Sequence, residues 1–192
     1  GQIQELGGDK VFVTPGGNSI SSRFTSSTAK LTDESLTTIE NARGVDQAVG
    51  LVSSSVIAVY GDESSYISLT GAPTGRNADL AREALGLEVV RGRYLRDNDR
   101  YSVLVSESVA ENRFEDSLHL RSKLSINSTD YRVVGIVEST GTGGSGIIMQ
   151  MQTARQVLNK QEEYDQLIAR IDPGYEPAEV EENIRQSLRQ NR

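Results

Sequence analysis

Alternating hydrophobic and polar positions near the start of the chain predict a first β-strand. Residues 9–14 (DKVFVT) are rich in the β-branched and aromatic side chains that favour an extended backbone. Pro15 ends this strand, because a proline followed by two glycines is typical of a turn. Residues 1–7 are interpreted as a short helical segment, and the Ser- and Thr-rich residues 18–30 as a loop.

A helix and a second strand follow. Thr32 is expected to cap the helix with its hydroxyl, and the two acidic residues after it suit the positive end of a helix dipole. Gly44 is expected to end the helix. Residues 56–60 (VIAVY) predict a strand. A turn at Gly61 follows, and residues 66–70 are expected to form the second strand of a hairpin.

The middle of the chain, residues 85–137, has a distinctive order of elements. The predicted elements are a strand, a helix capped by a serine, and the two strands of a hairpin, at residues 103–105, 107–114, 123–126 and 131–137. The first and last of these strands are expected to be buried together in one compact unit. That unit is expected to be distinct from an α/β layer formed by the two chain ends.

The end of the chain repeats the order strand, helix, strand, helix. Residues 147–150 and 167–171 predict the strands, and Thr153 is expected to cap the helix between them. The last helix begins near Pro177, because proline fits the first turn of a helix. It carries an apolar stripe at a spacing of four residues, typical of a helix with one buried face: Val180, Ile184 and Leu188.

Composition removes several classes of function. The net charge of −7 argues against a nucleic-acid surface, because phosphate binding needs clustered Lys and Arg. The chain of 192 residues has no cysteine and one histidine, His119, which excludes disulfides, thiolate metal sites and any two-histidine metal site. No apolar run approaches the ~20 residues of a membrane helix. Because the chain begins at Gly1 without a Met, we expect it to be an excised piece of a longer protein.

A glycine-rich segment resembles a nucleotide-binding loop. Residues 141–146, from Gly141 to Gly146, match the pattern G-x-G-x-x-G, and Glu162 follows about 20 residues later. A pyrophosphate site needs a helix that begins at the third glycine, so that its amides face the phosphates. Residues 147–150 predict a strand there, so the segment is interpreted as a hairpin loop.

The remaining polar clusters favour structure over catalysis. A local basic patch contains Arg91, Arg93, Arg96 and Arg100. These arginines alternate with Asp97 and Asp99, which favours a solvated, partly paired surface over an anion or lipid-headgroup site. His119 has no neighbouring ligands, and Ser122 and Lys123 point to opposite faces of a predicted strand. No catalytic residue, metal site or cofactor is therefore predicted.

One candidate modification site stands out. Asn127-Ser128-Thr129 is an N-glycosylation sequon in the predicted hairpin turn. A turn would leave Asn127 accessible, so the site could be used in an archaeal surface protein.

Four segments, in order, resemble a known family. They are residues 4–16, 31–45, 92–106 and 131–137. LGGDKVFVTPG in the first is similar to the LG-x-(N/D)-x-I-x-V-x-P-G start, and YRVVGIV in the last to the F-x-V-V-G-V strand, of the extracytoplasmic core domain of MacB/FtsX-like ABC transporter permeases. The chain departs from the family where Arg121-Ser122 stands in place of a glycine.

The resemblance implies an α+β fold with two parts. A porter-like α/β subdomain would be built from both chain ends, residues 1–60 and 147–192. A mixed α/β Sabre-like subdomain, residues 61–146, would be inserted between them. The parent protein would be a permease dimer in the cell membrane, driven by a cytoplasmic ABC ATPase, with this domain on the extracytoplasmic face.

The expected function is noncatalytic. The domain would couple ATP-driven motion of the membrane helices to the export of a peptide, drug or lipid-linked substrate, or to an extracytoplasmic partner such as an adaptor protein, and not to a nucleic acid. Two alternatives remain open. One is a free-standing extracellular binding or adhesion module, with residues 18–30 as its contact surface. The least favoured is a nucleotide-binding enzyme that uses residues 141–146.

Overall fold

The computed structural model describes residues 2–6, 8–15, 30–139 and 146–191. In chain order, the strands are β1 (Gln2–Leu6), β2 (Lys10–Thr14), β3 (Leu31–Thr32), β4 (Val45–Tyr60), β5 (Glu63–Ala72), β6 (Leu87–Gly92), β7 (Ser102–Ser106), β8 (Lys123–Ile126), β9 (Thr129–Ser139), β10 (Ile147–Gln150), β11 (Glu163–Tyr164) and β12 (Gln166–Ile171). The α-helices are α1 (Asp33–Glu40), α2 (Ala78–Leu85), α3 (Glu107–Asn112), α4 (Met151–Leu158) and α5 (Pro177–Gln190). None of the described helices has the length and apolar character needed to cross a membrane.

The chain folds into two compact units. We call them the terminal unit (Gly1–Leu51 with Glu162–Arg192) and the central unit (Val52–Gln161). Residues 52–60 and 147–161 lie in the central unit, although the resemblance implies that both belong to the porter-like subdomain. The reason is strand pairing: β4 is one continuous strand of 16 residues that contributes to both units, and β10 pairs with β5 and β7 of the central unit.

The terminal unit contains an antiparallel sheet in the order β1, β2, β12, β4. Its core joins strands β2 and β12 to helices α1 and α5 through Val11, Val13, Ile39, Leu167, Ala169, Val180 and Ile184. The predicted stripe of α5 is confirmed, because Val180 and Ile184 are fully buried and Leu188 packs against the same cluster. The prediction of a helix at residues 1–7 is wrong, because Gln2–Leu6 pairs along its whole length with β2.

Helix α1 begins as its sequence predicts. Thr32 Oγ1 accepts a hydrogen bond from the Ser35 amide at 3.3 Å, and Ser35 Oγ accepts one from the Thr32 amide at 3.1 Å. This reciprocal capping box satisfies two amides at the helix start. The helix ends earlier than predicted, with Asn41 as its C-cap, and Gly44 lies in the following turn at φ +91°.

The central unit is organised as a closed cycle of strands. Neighbouring strands follow the order β4, β5, β10, β7, β9, and β8 pairs with both β9 and β4, so the pairing returns to its start. Strand β6 extends the sheet from β9. As predicted, residues 103–105 and 131–137 lie in this unit on adjacent strands, where Val103, Leu104 and Val105 are fully buried.

Two local predictions for this unit have different outcomes. The hairpin of β8 and β9 is confirmed, and its turn places Asn127 and Ser128 at φ +51° and +64°, as a tight two-residue hairpin turn requires. The prediction that Thr153 caps α4 is wrong. The helix begins directly at Met151, and the Thr153 hydroxyl donates at 3.0 Å to the side chain of Gln150, which occupies the cap position.

Candidate functional site

One arginine side chain of the predicted basic patch, that of Arg93, pairs with a buried carboxylate. Asp99 accepts hydrogen bonds from both terminal nitrogens of Arg93, with Nη1–Oδ2 at 2.6 Å and Nη2–Oδ1 at 3.1 Å. Its Oδ2 also accepts one from the Arg96 amide at 2.7 Å. The Arg93 guanidinium holds the pKa of Asp99 below its usual range, and the same hydrogen bond raises the pKa of Arg93. Such a bidentate pair fixes the orientation of both side chains and adds binding energy, so Arg93 stabilises the loop that contains Asp99.

Further contacts clamp this loop, which we call the 93–99 loop. Asp97 Oδ1 accepts a hydrogen bond from Thr74 Oγ1 at 2.6 Å, and the Asp97 backbone carbonyl accepts one from the side-chain Nε2 of Gln150. The Tyr94 ring lies under the Arg82 guanidinium, at 4.8 Å from its centroid, and burial raises the pKa of Tyr94 to about 12. The loop is therefore held by the surrounding elements of the central unit.

The other sequence candidates are not brought together. His119 is exposed, and its amide donates to Ser122 Oγ at 2.9 Å, so this hydroxyl serves a local turn. The neighbouring Lys123 side chain is exposed. Within the part of the chain that the structure describes, no group of three or more His, Asp or Glu residues could hold a metal ion.

The glycine-rich segment lies mostly outside the described residues, which exclude positions 140–145. Gly146, at its end, exchanges two hydrogen bonds of 3.0 Å with Ser106: its amide donates to the hydroxyl, and its carbonyl accepts from the Ser106 amide. Strand β10 follows directly, as predicted. The helix that a pyrophosphate loop requires does not begin there.

The sequon residue Asn127 occupies the tip of the β8–β9 hairpin. It is exposed, and its side-chain amide donates to the Val157 carbonyl near the end of α4 at 3.3 Å. Use of this site for glycosylation would require that contact to open, because the same amide nitrogen is the acceptor of the glycan.

One surface of the central unit was not predicted. Ile57 and Tyr66 are register partners on β4 and β5 and are 49% and 69% exposed. Lys123 and Arg132 are register partners on β8 and β9, and both are exposed. Val59 pairs with Ser125 between them.

These residues share one side of the sheet. Successive side chains of a strand alternate between its two sides, so Ile57 and Val59 face the same way, as do Lys123 and Ser125. Their neighbours on the opposite side are buried, among them Ala58, Leu124 and Tyr131. We call the exposed side, carried by β5, β4, β8 and β9, the outer face. The outer face could not be predicted from the sequence because residues 56–60 are all apolar. Only the structure shows that Ile57 is exposed while its neighbours Val56 and Ala58 are buried.

The sequence is similar to known proteins along nearly its whole length. It matches the family of MacB-like periplasmic core domains over residues 1–187. It is 22% identical over 162 residues to an uncharacterised ABC transporter permease of Methanocaldococcus jannaschii, and this match covers 83% of the chain. The chain spans 40% of the length of that relative.

Two solved structures share the fold. The periplasmic region of MacB from Actinobacillus actinomycetemcomitans superposes with a TM-score of 0.77 at 18% identity, covering 97% of this chain and 85% of that chain. The extracellular domain of the transporter YknZ from Gram-positive bacteria superposes with a TM-score of 0.70 at 19% identity, covering 95% and 93%. These likenesses confirm the predicted α+β class. The match over residues 1–187 confirms the resemblance noted from the sequence: the chain belongs to the family of MacB-like periplasmic core domains.

Proposed function

We infer that this chain is a noncatalytic extracytoplasmic domain of an ABC transporter permease. The observation that carries this proposal is the family match, which extends over residues 1–187 and is accompanied by a shared fold over 97% of the chain. The loop around Asp99 agrees with it, because its charged groups are used within the fold. Asp99, for example, is occupied by Arg93 and by the Arg96 amide.

The proposed role is to couple motion to export. In this proposal the terminal unit is the porter-like part and receives the motion of the membrane helices, and the central unit is the Sabre-like part and meets substrate or partner proteins. Strand β4 suits such coupling because its backbone contributes to both units without an intervening loop. A cytoplasmic ABC ATPase and a second permease subunit complete the assembly, which lies in the cell membrane.

The absence of cysteine in the chain gives a direct test of location. In a cysteine-free parent protein, Asp62→Cys in the exposed β4–β5 turn should react with a membrane-impermeant maleimide added to intact cells. Leu104→Cys, at a fully buried position, is the matched control and should not react. Labelling of Asp62→Cys only after the cells are permeabilised would contradict an extracytoplasmic domain.

The same background tests coupling. A pair of spin labels at Asp62→Cys in the central unit and Arg189→Cys in the terminal unit reports the distance between the units in the assembled permease and ATPase. We expect the distance distribution to change between the nucleotide-free and ATP-bound states. An unchanged distribution would contradict coupling through this domain.

The enzyme alternative is separated by calorimetry. Titration of the chain with ATP, GTP and NAD should give no heat of binding. Saturable heat that is lost on Gly143→Val would favour a nucleotide site at residues 141–146 over the proposal.

A further inference from the structure

The outer face combines two features that are unusual on a solvent-exposed sheet. Lys123 lies directly opposite Arg132 in an antiparallel pair, where like charges destabilise the sheet. Neither cation forms an ion pair with a described carboxylate, although Asp130 lies two residues before Arg132 on the same side. The chain as a whole carries seven more acidic than basic residues, so this cationic pair runs against its general charge.

The second feature is an exposed apolar pair on the same face. Tyr66 is 69% exposed and lies opposite Ile57, which is 49% exposed. A large aromatic side chain beside an aliphatic one buries much apolar area at low entropic cost when a partner covers it, and tyrosine and arginine are enriched in such contacts.

The backbone just before Lys123 has an unusual conformation. Arg121 has φ +75°, in the left-handed region that non-glycine residues rarely adopt, and its amide donates to the Val133 carbonyl at 2.8 Å. The strained residue thus lies two positions before Lys123, one member of the like-charged pair. Local strain of this kind recurs at binding surfaces, where it positions side chains for a partner.

We propose that the outer face docks an acidic, extended segment of an extracytoplasmic protein, with carboxylates on Lys123 and Arg132 and an apolar side chain between Ile57 and Tyr66. Charge complementarity selects the occupant, because two unpaired cations on an acidic domain attract an anionic segment and repel another copy's basic face. From the strand spacing and rise, the two pairs are about 15–20 Å apart, which about six extended residues span. This inference builds on the proposed function, since it names the chemistry of the partner.

The test is fluorescence anisotropy with the 192-residue chain and a labelled peptide of about eight residues, the length that covers both pairs. One end of the peptide carries Leu-Phe and the other Asp-Glu-Asp, and the reversed order is tested as well. We expect saturable binding of one orientation that weakens as salt is raised. The matched peptide with Asn-Gln-Asn in place of the acids should bind at least about tenfold more weakly.

Matched variants locate the site. Lys123→Glu with Arg132→Glu should weaken binding at least about tenfold, whereas Arg189→Glu with Arg76→Glu, two exposed cations elsewhere, should change it less than about twofold. Tyr66→Ser should weaken binding, and Tyr101→Ser, at a tyrosine that is 66% exposed, should not. Circular dichroism melts confirm that each variant is folded.

Three results would overturn the proposal: no binding of either peptide, equal binding by the outer-face and control variants, or equal binding of the acidic and amide peptides. Anionic phospholipid vesicles that bind through Lys123 and Arg132 while the peptide does not would assign the face to a membrane instead. Peptide binding needs neither ATPase nor membrane. Its failure is therefore distinguishable from failure of the proposed function, which the labelling and distance measurements report separately.

Discussion

The central unit treats two groups of cationic residues in opposite ways. In the 93–99 loop, Arg93 meets a buried carboxylate, Asp99, through two hydrogen bonds of 2.6 and 3.1 Å. On the outer face, Lys123 meets another cation, Arg132, in register and in solvent. In the sequence both groups are basic residues with aspartate nearby, Asp97 and Asp99 in the first and Asp130 in the second, so composition alone does not distinguish them.

The difference separates charges that stabilise the fold from charges that do not, and we propose that the second kind binds a partner. A buried carboxylate is stable only when charged or polar groups satisfy it, and the Arg93 guanidinium and Arg96 amide do so for Asp99. An exposed like-charged pair does not stabilise the fold, because the two cations repel each other. Substitutions in the two groups should therefore change the free energy of unfolding in opposite directions and by different amounts.

The largest effect is expected at the buried carboxylate. Asp99→Ala leaves the Arg93 guanidinium and the Arg96 amide without their acceptor, and should lower the free energy of unfolding by about 3 kcal/mol. Urea denaturation followed by circular dichroism measures it. Asp62→Ala, which removes an exposed turn carboxylate, is the control and should change stability by less than about 0.5 kcal/mol. Equal effects of the two variants would show that the Asp99 pair does not hold the loop.

A second large effect is expected where the start of the 93–99 loop approaches Gly135 of β9. A Cβ atom at Gly135 would lie 2.3 Å from the Arg93 carbonyl oxygen and 2.8 Å from Leu104 Cδ2. Gly135→Ala should therefore cost about 2 kcal/mol through overpacking. The control is Gly174→Ala, where φ is +100° but no atom lies within 4 Å, so it reports conformational strain without a clash. A loss at Gly135 no larger than at Gly174 would contradict the close approach.

Local signals explain what the sequence predicted and what it missed. The Thr32 cap and the stripe of α5 were predictable because each depends on residues within one or a few turns. The strand at Gln2–Leu6 was not, because it exists through pairing with β2, and its isolated sequence has weak preference for either state. Strand β4 was only half predicted, since its first part is set by pairing with β12.

The two cationic groups also show that local contacts can be predicted from the sequence and contacts between distant strands cannot. The partner of Arg93 lies six residues away within one loop, so the sequence could suggest partial pairing there. The outer face depends on the pairing of β4 with β8, which are far apart in the chain, and on which alternate residues of an all-apolar run are exposed. A single sequence fixes neither register nor side for such a run.

A smaller effect, dependent on pH, is expected from the same Arg93–Asp99 pair. Because Arg93 holds the pKa of Asp99 low in the folded state, the unfolded chain takes up the proton first as pH falls. The stabilisation is complete above the unfolded pKa of about 3.9 and is lost as pH falls through the lower folded value. Urea denaturation between about pH 6 and pH 3 should therefore show a steeper loss for the wild-type chain than for Asp99→Asn. Parallel pH profiles would contradict the depressed pKa.

The smallest effect has the opposite sign and completes the comparison. Lys123→Gln removes one of two opposed cations and should raise the free energy of unfolding by about 0.3–0.5 kcal/mol, with a smaller gain in high salt. Arg132→Gln should give a similar gain, and the double variant should gain less than the sum, because the repulsion can be removed only once. The same variants should bind the acidic peptide more weakly. Higher stability together with weaker peptide binding would show that the pair serves binding and not folding. A loss of stability in both variants would show instead that Lys123 and Arg132 stabilise the fold.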